Sequence, residues 1–176
     1  MALICLILLI LANLLIRPRL PPKPSTSALP KFRIWANPVF ALTSVGVYMA
    51  EWGLFIPLTY LPSYALTHGI PPTMALKLLA VFNAASFFGR WVPGFAADRV
   101  GRFNMMIVMV TLCLGSAMGI WFFAGGSVGR VVAFALIFGF ASGSSISLTP
   151  VCVGQLCETE EYGRYYAASY MLVSFG

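Results

Sequence analysis

The chain has 176 residues, of which 60% are hydrophobic and 9% charged, with a strongly positive mean hydropathy. That is more apolar surface than a soluble domain of this size hides in one core, which points to a membrane protein. The formal net charge of +6 does not indicate nucleic acid, because the basic residues lie between apolar runs too long and too dry to flank a groove reader.

Residues 1–16 form an apolar run with no basic residue ahead of it, while Arg17, Arg19 and Lys23 follow. A signal peptide has the opposite polarity, so the run is expected to be the end of a helix that begins upstream. Residues 17–38 form the linker, with prolines at 18, 21, 22, 24 and 30 and five basic residues but no acid. Such a stretch favours extended conformations and buries no core. It can serve as a tether between helical bundles, as an anionic-lipid contact, or simply as a solvated cytoplasmic connector.

From residue 39 to 176 a transmembrane bundle is expected. A hydrocarbon core of about 30 Å takes roughly 20 apolar residues per helix, and on that ruler four full spans emerge: Val39 to Leu61, Thr73 to Ala97, Met105 to Ala124 and Val131 to Val153. A fifth begins near Tyr165. Pro62 to Pro72 reads as a short outer loop containing His68. Nine of the 11 Lys and Arg residues fall on one side and only Lys77 and Arg130 on the other, which makes the nine-residue side cytoplasmic. Glu158, Glu160 and Glu161 share that side and contribute little to the rule. The four cysteines are scattered without zinc spacing and read as reduced packing residues.

Two small-x-x-x-small faces, Gly115 to Gly119 and Gly139 to Gly143, suggest close helix contacts, since small residues let backbones approach in lipid. The run Gly143 to Ser147, GSSIS, followed by Pro150, has two readings: hydroxyls and a helix break lining a watery path, or hydroxyls bonded back to their own helix. Ionisable groups inside a span are the stronger functional signal, because each costs at least about 2.5 kcal/mol to insert. Arg90 lies eight residues before Asp98, about 12 Å inward along a helix. Its guanidinium could hold an anion in a two-pronged grip, or it could snorkel to the surface. Glu51 lies halfway along its span, as a candidate proton carrier, arginine partner or structural hydrogen bonder. Asn83, Ser86 and Arg90 share a helical face by spacing, and Tyr60, Tyr64, Asn83 and Ser86 are expected to face the bundle interior if they share faces with Glu51 and Arg90.

Gly94 to Arg102 read GFAADRVGR, a charged turn between two apolar runs. It resembles the G-x-x-x-D-R-x-G-R signature of the major facilitator superfamily, carried here by Gly94, Asp98, Arg99, Gly101 and Arg102. The runs Gly53 to Pro57 and on to Tyr64, Phe88-Gly-Arg90 to Gly94, Glu160 to Arg164 and Tyr170 to Gly176 are similar to the monocarboxylate-transporter branch as fungi carry it. The resemblance implies an all-α integral membrane protein: a partial C-terminal six-helix bundle running from the end of helix 6 to the start of helix 11, and a fragment of the whole. It further implies secondary active transport of small organic anions by alternating access, with protons as a candidate co-substrate. The missing N-terminal helical half and the lipid bilayer would be the partners, with no cofactor, no metal and no enzymatic activity. A plasma-membrane location is expected ahead of a vacuolar one. In animal members an acid precedes the arginine matching Arg90 by one turn; Ser86 stands there in this chain, so the arginine carries over and the acid does not. The substrate-binding candidates are Arg90, Glu51, Asn83, Ser86 and Tyr60, and the five residues of the turn form the conformational motif. A helical membrane scaffold with no transported solute is the alternative.

Overall fold

The computed structural model describes residues 2–15 and 32–174; the basic residues Arg17, Arg19, Lys23 and Lys31 of the linker lie outside them. Six α-helices account for almost all of the described chain: α1 (Ala2–Leu15), α2 (Pro38–Thr67), α3 (Pro72–Val100), α4 (Arg102–Ser116), α5 (Val128–Gly154) and α6 (Tyr162–Val173). A short 3-10 turn, Phe32–Ala36, precedes α2, and α4 runs on through a π-helical turn, Ala117–Trp121. Four helices are long and apolar enough to cross a membrane: α2, α3, α4 with its π turn, and α5. The described residues contain no strand, which agrees with the all-α expectation.

Local signals explain the helix ends. Asn37 caps α2, its Oδ1 accepting from the Val39 amide at 3.1 Å with Pro38 at the first helical position, where a missing N–H leaves nothing unpaired. The far end of α2 closes on Gly69 at φ 78°. The Ile70 amide donates to Ala65 and the Gly69 amide to Leu66, so the last carbonyls are satisfied by a left-handed glycine beyond the cap. This corrects the expected outer loop from Pro62 to Pro72. Pro57 and Pro62 both lie inside α2, and only residues 68 to 71 connect it to α3. Proline inside a membrane helix is tolerated because neighbouring helices and local adjustments satisfy the freed carbonyl. The break at Pro150 that one of the two readings called for is absent, since α5 is continuous through it.

The bundle is built on α5, whose most extensive partner is α3. The small residues on both helices are why. A methyl group at Gly139 would stand 2.6 Å from the Phe82 carbonyl oxygen, and one at Gly89 or Gly143 would collide with the backbone of Phe140 or Ser86. Such close approach replaces the hydrophobic drive that lipid does not supply. The Gly139 to Gly143 face therefore makes the helix contact expected of it. The Gly115 to Gly119 face does not: a methyl group at either position would meet no atom within 4 Å, because that side of α4 points away from every described helix.

Aromatic rings fill the outer half of the core. Trp121 stacks on Phe134 at 5.1 Å, Phe134 lies 5.1 Å from Phe138, and Tyr64 meets Trp121 edge-on at 5.8 Å. At the end where α2 begins, a second cluster joins the 3-10 turn to α2 and α6, with Phe40 edge-on to both Trp35 and Tyr165 and buried beside Val153 and Ala168. By contrast α1 exposes its apolar side chains from Ile4 to Leu15.

Candidate functional site

The charged turn is tighter than a loop. Asp98 and Arg99 occupy the last turn of α3, and Arg102 already opens α4. Gly101 alone separates the two helices, at φ 100°, a conformation that penalises any residue with a Cβ. Asp98 meets Arg102 at 3.8 Å across it, with the two side chains 69% and 40% exposed. The Asn104 amide donates to the Val100 carbonyl at 3.1 Å, and the Arg99 guanidinium lies 5.2 Å from the Phe95 ring centre. Gly94 lies one turn inward from Asp98 on the same helix, with open space where a side chain would be. An exposed pair at this distance is weak on its own, so the geometry of the connection rests on Gly101.

Deeper in α3, Ser86 and Arg90 diverge. Ser86 is buried against Gly143 of α5, whereas Asn83 and Arg90 are exposed on the flank beside that interface. The spacing that places the three on one stripe thus spans the edge of a helix contact. Ser86 is locked and the other two are open. The Ser147 hydroxyl of α5 donates to the Ser144 carbonyl of its own helix at 3.1 Å and lies 3.5 Å from the Arg90 carbonyl, and the Arg90 side chain stays free of an ion pair among the described residues.

The remaining α5 hydroxyls follow the simpler of their two readings. Ser144 donates to Ala141 at 2.7 Å, Ser142 to Gly139 at 3.1 Å and Thr149 to Ser145 at 2.9 Å, all within their own helix.

Glu51 and Tyr60 come together in one groove of about 370 Å³, which Trp52, Phe55, Ile56 and Thr59 of α2 and Val173 of α6 also line. Arg90, Asn83 and Ser86 do not line it. Glu51 is half-buried and Tyr60 is 60% exposed, so of the residues expected to face inward only Ser86 is buried outright, with Tyr64 partly so. Trp52, Phe55 and Thr59 were not singled out from the sequence. Their signal is there nonetheless: positions 51, 52, 55, 56, 59 and 60 recur at helical spacing and form one face. Measured from the ends of α2 and α3 away from their short connection, Glu51 lies about 20 Å along α2 and Arg90 about 15 Å along α3, so the two ionisable groups sit at similar heights in the bundle.

Three peripheral features complete the site's surroundings. His68 opens the short exposed connection after α2, as expected of a loop residue, and also caps that helix, its Nδ1 against the Tyr64 carbonyl at 3.0 Å and its ring 4.1 Å from the Tyr64 ring. All four cysteines are free thiols. Burial, and secondarily the charge of Glu161, push the Cys157 thiol, on the connection before α6, above its ordinary value. On α6 the rings of Tyr162, Tyr166 and Tyr170 follow one another at 5.8 and 4.5 Å.

The profile of the Major Facilitator Superfamily matches residues 1–176. An MFS-type transporter of Gibberella moniliformis is 34% identical over 168 residues, covering 95% of this chain and 40% of that protein. The riboflavin transporter MCH5 of Saccharomyces cerevisiae is 39% identical over 133 residues, 75% of this chain and 25% of the relative. The agnestins efflux protein of Paecilomyces divaricatus is 39% identical over 142 residues, 81% and 31%. The chain thus spans between a quarter and two fifths of the length of these relatives. No solved structure matches it.

Proposed function

Because the chain belongs to the Major Facilitator Superfamily, a family of multi-pass membrane proteins, we propose that it forms part of a secondary active transporter of small organic anions, working by alternating access in the plasma membrane. The transporter names of its fungal relatives support transport as the activity. The observation that carries the anion reading is Arg90, an exposed guanidinium well inside a membrane-spanning helix whose adjoining flank is fixed to α5 by backbone-close contacts. A cation held at that depth needs water or a counter-anion, and a guanidinium suits a carboxylate better than an ammonium does.

In this mechanism α3 and α5 move as one body, because no side chain separates their backbones at Gly89, Gly139 and Gly143. Rocking against the helices of the other half would expose Arg90 alternately to the two sides. The turn at Gly101 keeps the cytoplasmic ends of α3 and α4 together during that motion, with Asp98 and Arg102 positioned to meet the opposite bundle. Glu51, Asn83 and Tyr60 would complete the solute's surroundings, and Ser86 would act through packing. Monocarboxylates are the substrate class proposed first, with protons as co-substrate.

The test is uptake by cells expressing the complete reading frame that contains this chain. Labelled short-chain carboxylates and their uncharged amides are compared at fixed concentration. Saturable uptake of carboxylates with exclusion of the amides supports the proposal; equal uptake of both removes the anion from it.

A further inference from the structure

We propose that the groove around Glu51 is a subsite for a planar aromatic ring that bears a hydrogen-bond donor, and that it disfavours an anionic group. This rests on the transporter reading only in placing the groove on the solute's path. Along one face of α2, Trp52, Phe55 and Tyr60 are each half exposed or more, so flat ring surface is open to stacking or edge-to-face contact. Thr59 adds a hydroxyl to that face and Val173 of α6 closes one side. At about 370 Å³ the groove lies in the range of small-molecule sites, which are mostly apolar with a few placed polar groups.

Glu51 is what separates this groove from a lipid-facing surface. A carboxyl halfway along a membrane helix is not left against acyl chains; such residues face water, a partner or a ligand. It presents acceptor oxygens, so it rewards a phenolic O–H, an imide N–H or an amine on the rim of a stacked ring. An organic carboxylate placed there would meet another carboxyl and no cation among the residues that line the groove. The same solute's acidic group, if it carries one, belongs at Arg90, at similar depth on α3 and outside this groove. The chemical class that fits this groove is therefore a hydroxylated or amino-bearing aromatic ring, with any carboxylate of the same solute held at Arg90.

The test uses the complete transporter that contains this chain, in lipid nanodiscs, with every tryptophan except Trp52 replaced by Phe, so that Trp52 reports on the groove. The probes are 2-naphthol and 2-naphthoate at pH 7.5. We expect saturable quenching by 2-naphthol, at least about tenfold tighter than by 2-naphthoate, weakened at least about fivefold by Glu51→Gln and also weakened by Phe55→Ala. Glu51→Gln should tighten 2-naphthoate. Equal affinities with no response to Glu51→Gln overturn the proposal, as does unsaturable quenching indifferent to Phe55→Ala, which is partition into lipid. Should the single-tryptophan chain not fold, protection of Thr59→Cys from a methanethiosulfonate reagent, read by mass spectrometry, tests the same order of affinities. If these probes ignore Glu51 while carboxylate uptake still depends on Arg90, the ring subsite falls and the anion reading stands; the reverse pattern removes the anion reading alone.

Discussion

Gly139 of α5 and Phe82 of α3 approach so closely that a methyl group on the glycine would lie 2.6 Å from the Phe82 carbonyl oxygen. Backbone cannot yield as the end of a side chain does, so Gly139→Ala should destabilise the chain by about 1 to 3 kcal/mol, the usual range for overpacking. Gly115→Ala is the control: nothing lies near it, and alanine is the better helix former. Thermal unfolding in detergent, followed by helicity, should show a lower midpoint for the first variant and an unchanged or slightly higher one for the second.

The charged turn separates backbone from charge in the same way. Gly101→Ala forces a Cβ into a left-handed conformation and should cost about 1 to 2 kcal/mol, whereas Asp98→Asn removes a solvent-exposed pair worth about 0 to 1 kcal/mol. Asp98→Asn in the complete transporter should nevertheless lower turnover more than solute binding, because it alters the balance between two bundle orientations. Unfolding midpoints and uptake rates measured on both variants distinguish the two effects. Unchanged turnover at normal protein levels would leave Asp98 a topological signal only.

Orientation follows from the distribution of Lys and Arg. In a chain with its four cysteines replaced, Val100→Cys should resist an impermeant thiol reagent added to intact cells and Gly69→Cys should react. Both positions are exposed, so access to solvent does not confound the comparison. The opposite labelling pattern would invert the topology.

Cys157 gives a pH test on the cytoplasmic connection. Its thiol is held above the ordinary range by burial first and by Glu161 second, and the thiolate is the reactive form. With the other three cysteines replaced, maleimide labelling of permeabilised cells should be slower at pH 7 than for a free thiol and rise steeply above pH 8. Glu161→Gln should quicken it at every pH below the plateau, by a small factor since burial is the larger cause. A rate unaffected by both pH and Glu161→Gln would contradict the assignment.

The membrane class and the four long helices were legible in the sequence because apolar length is an additive property of neighbouring residues. Helix ends were less so. Pro62 read as the start of a loop and Pro150, in one of two readings, as a break within its span, yet both lie inside continuous helices, since proline disturbs one carbonyl and the packed neighbours decide whether that matters. The two small-residue faces had equal standing as patterns, and only the fold distinguishes Gly139, against Phe82, from Gly115, against nothing. Arg90 and Glu51 were visible as charges in apolar surroundings. The groove beside Glu51 was not, because Trp52, Phe55 and Thr59 are ordinary residues for a membrane helix until Val173 of α6 is set across from them.

The central claim, a carboxylate held at Arg90, is tested most directly by the concentration dependence of carboxylate uptake in Arg90 variants of the complete transporter. Truncating one partner of a desolvated charge pair loses about 2 to 5 kcal/mol, so Arg90→Ala should raise the half-saturating concentration at least about thirtyfold. Arg90→Lys should recover only part, because a point charge does not reproduce the two-pronged grip. An unchanged half-saturating concentration in well-expressed Arg90→Ala would contradict the account and leave Arg90 as a side chain that merely reaches for the cytoplasmic surface.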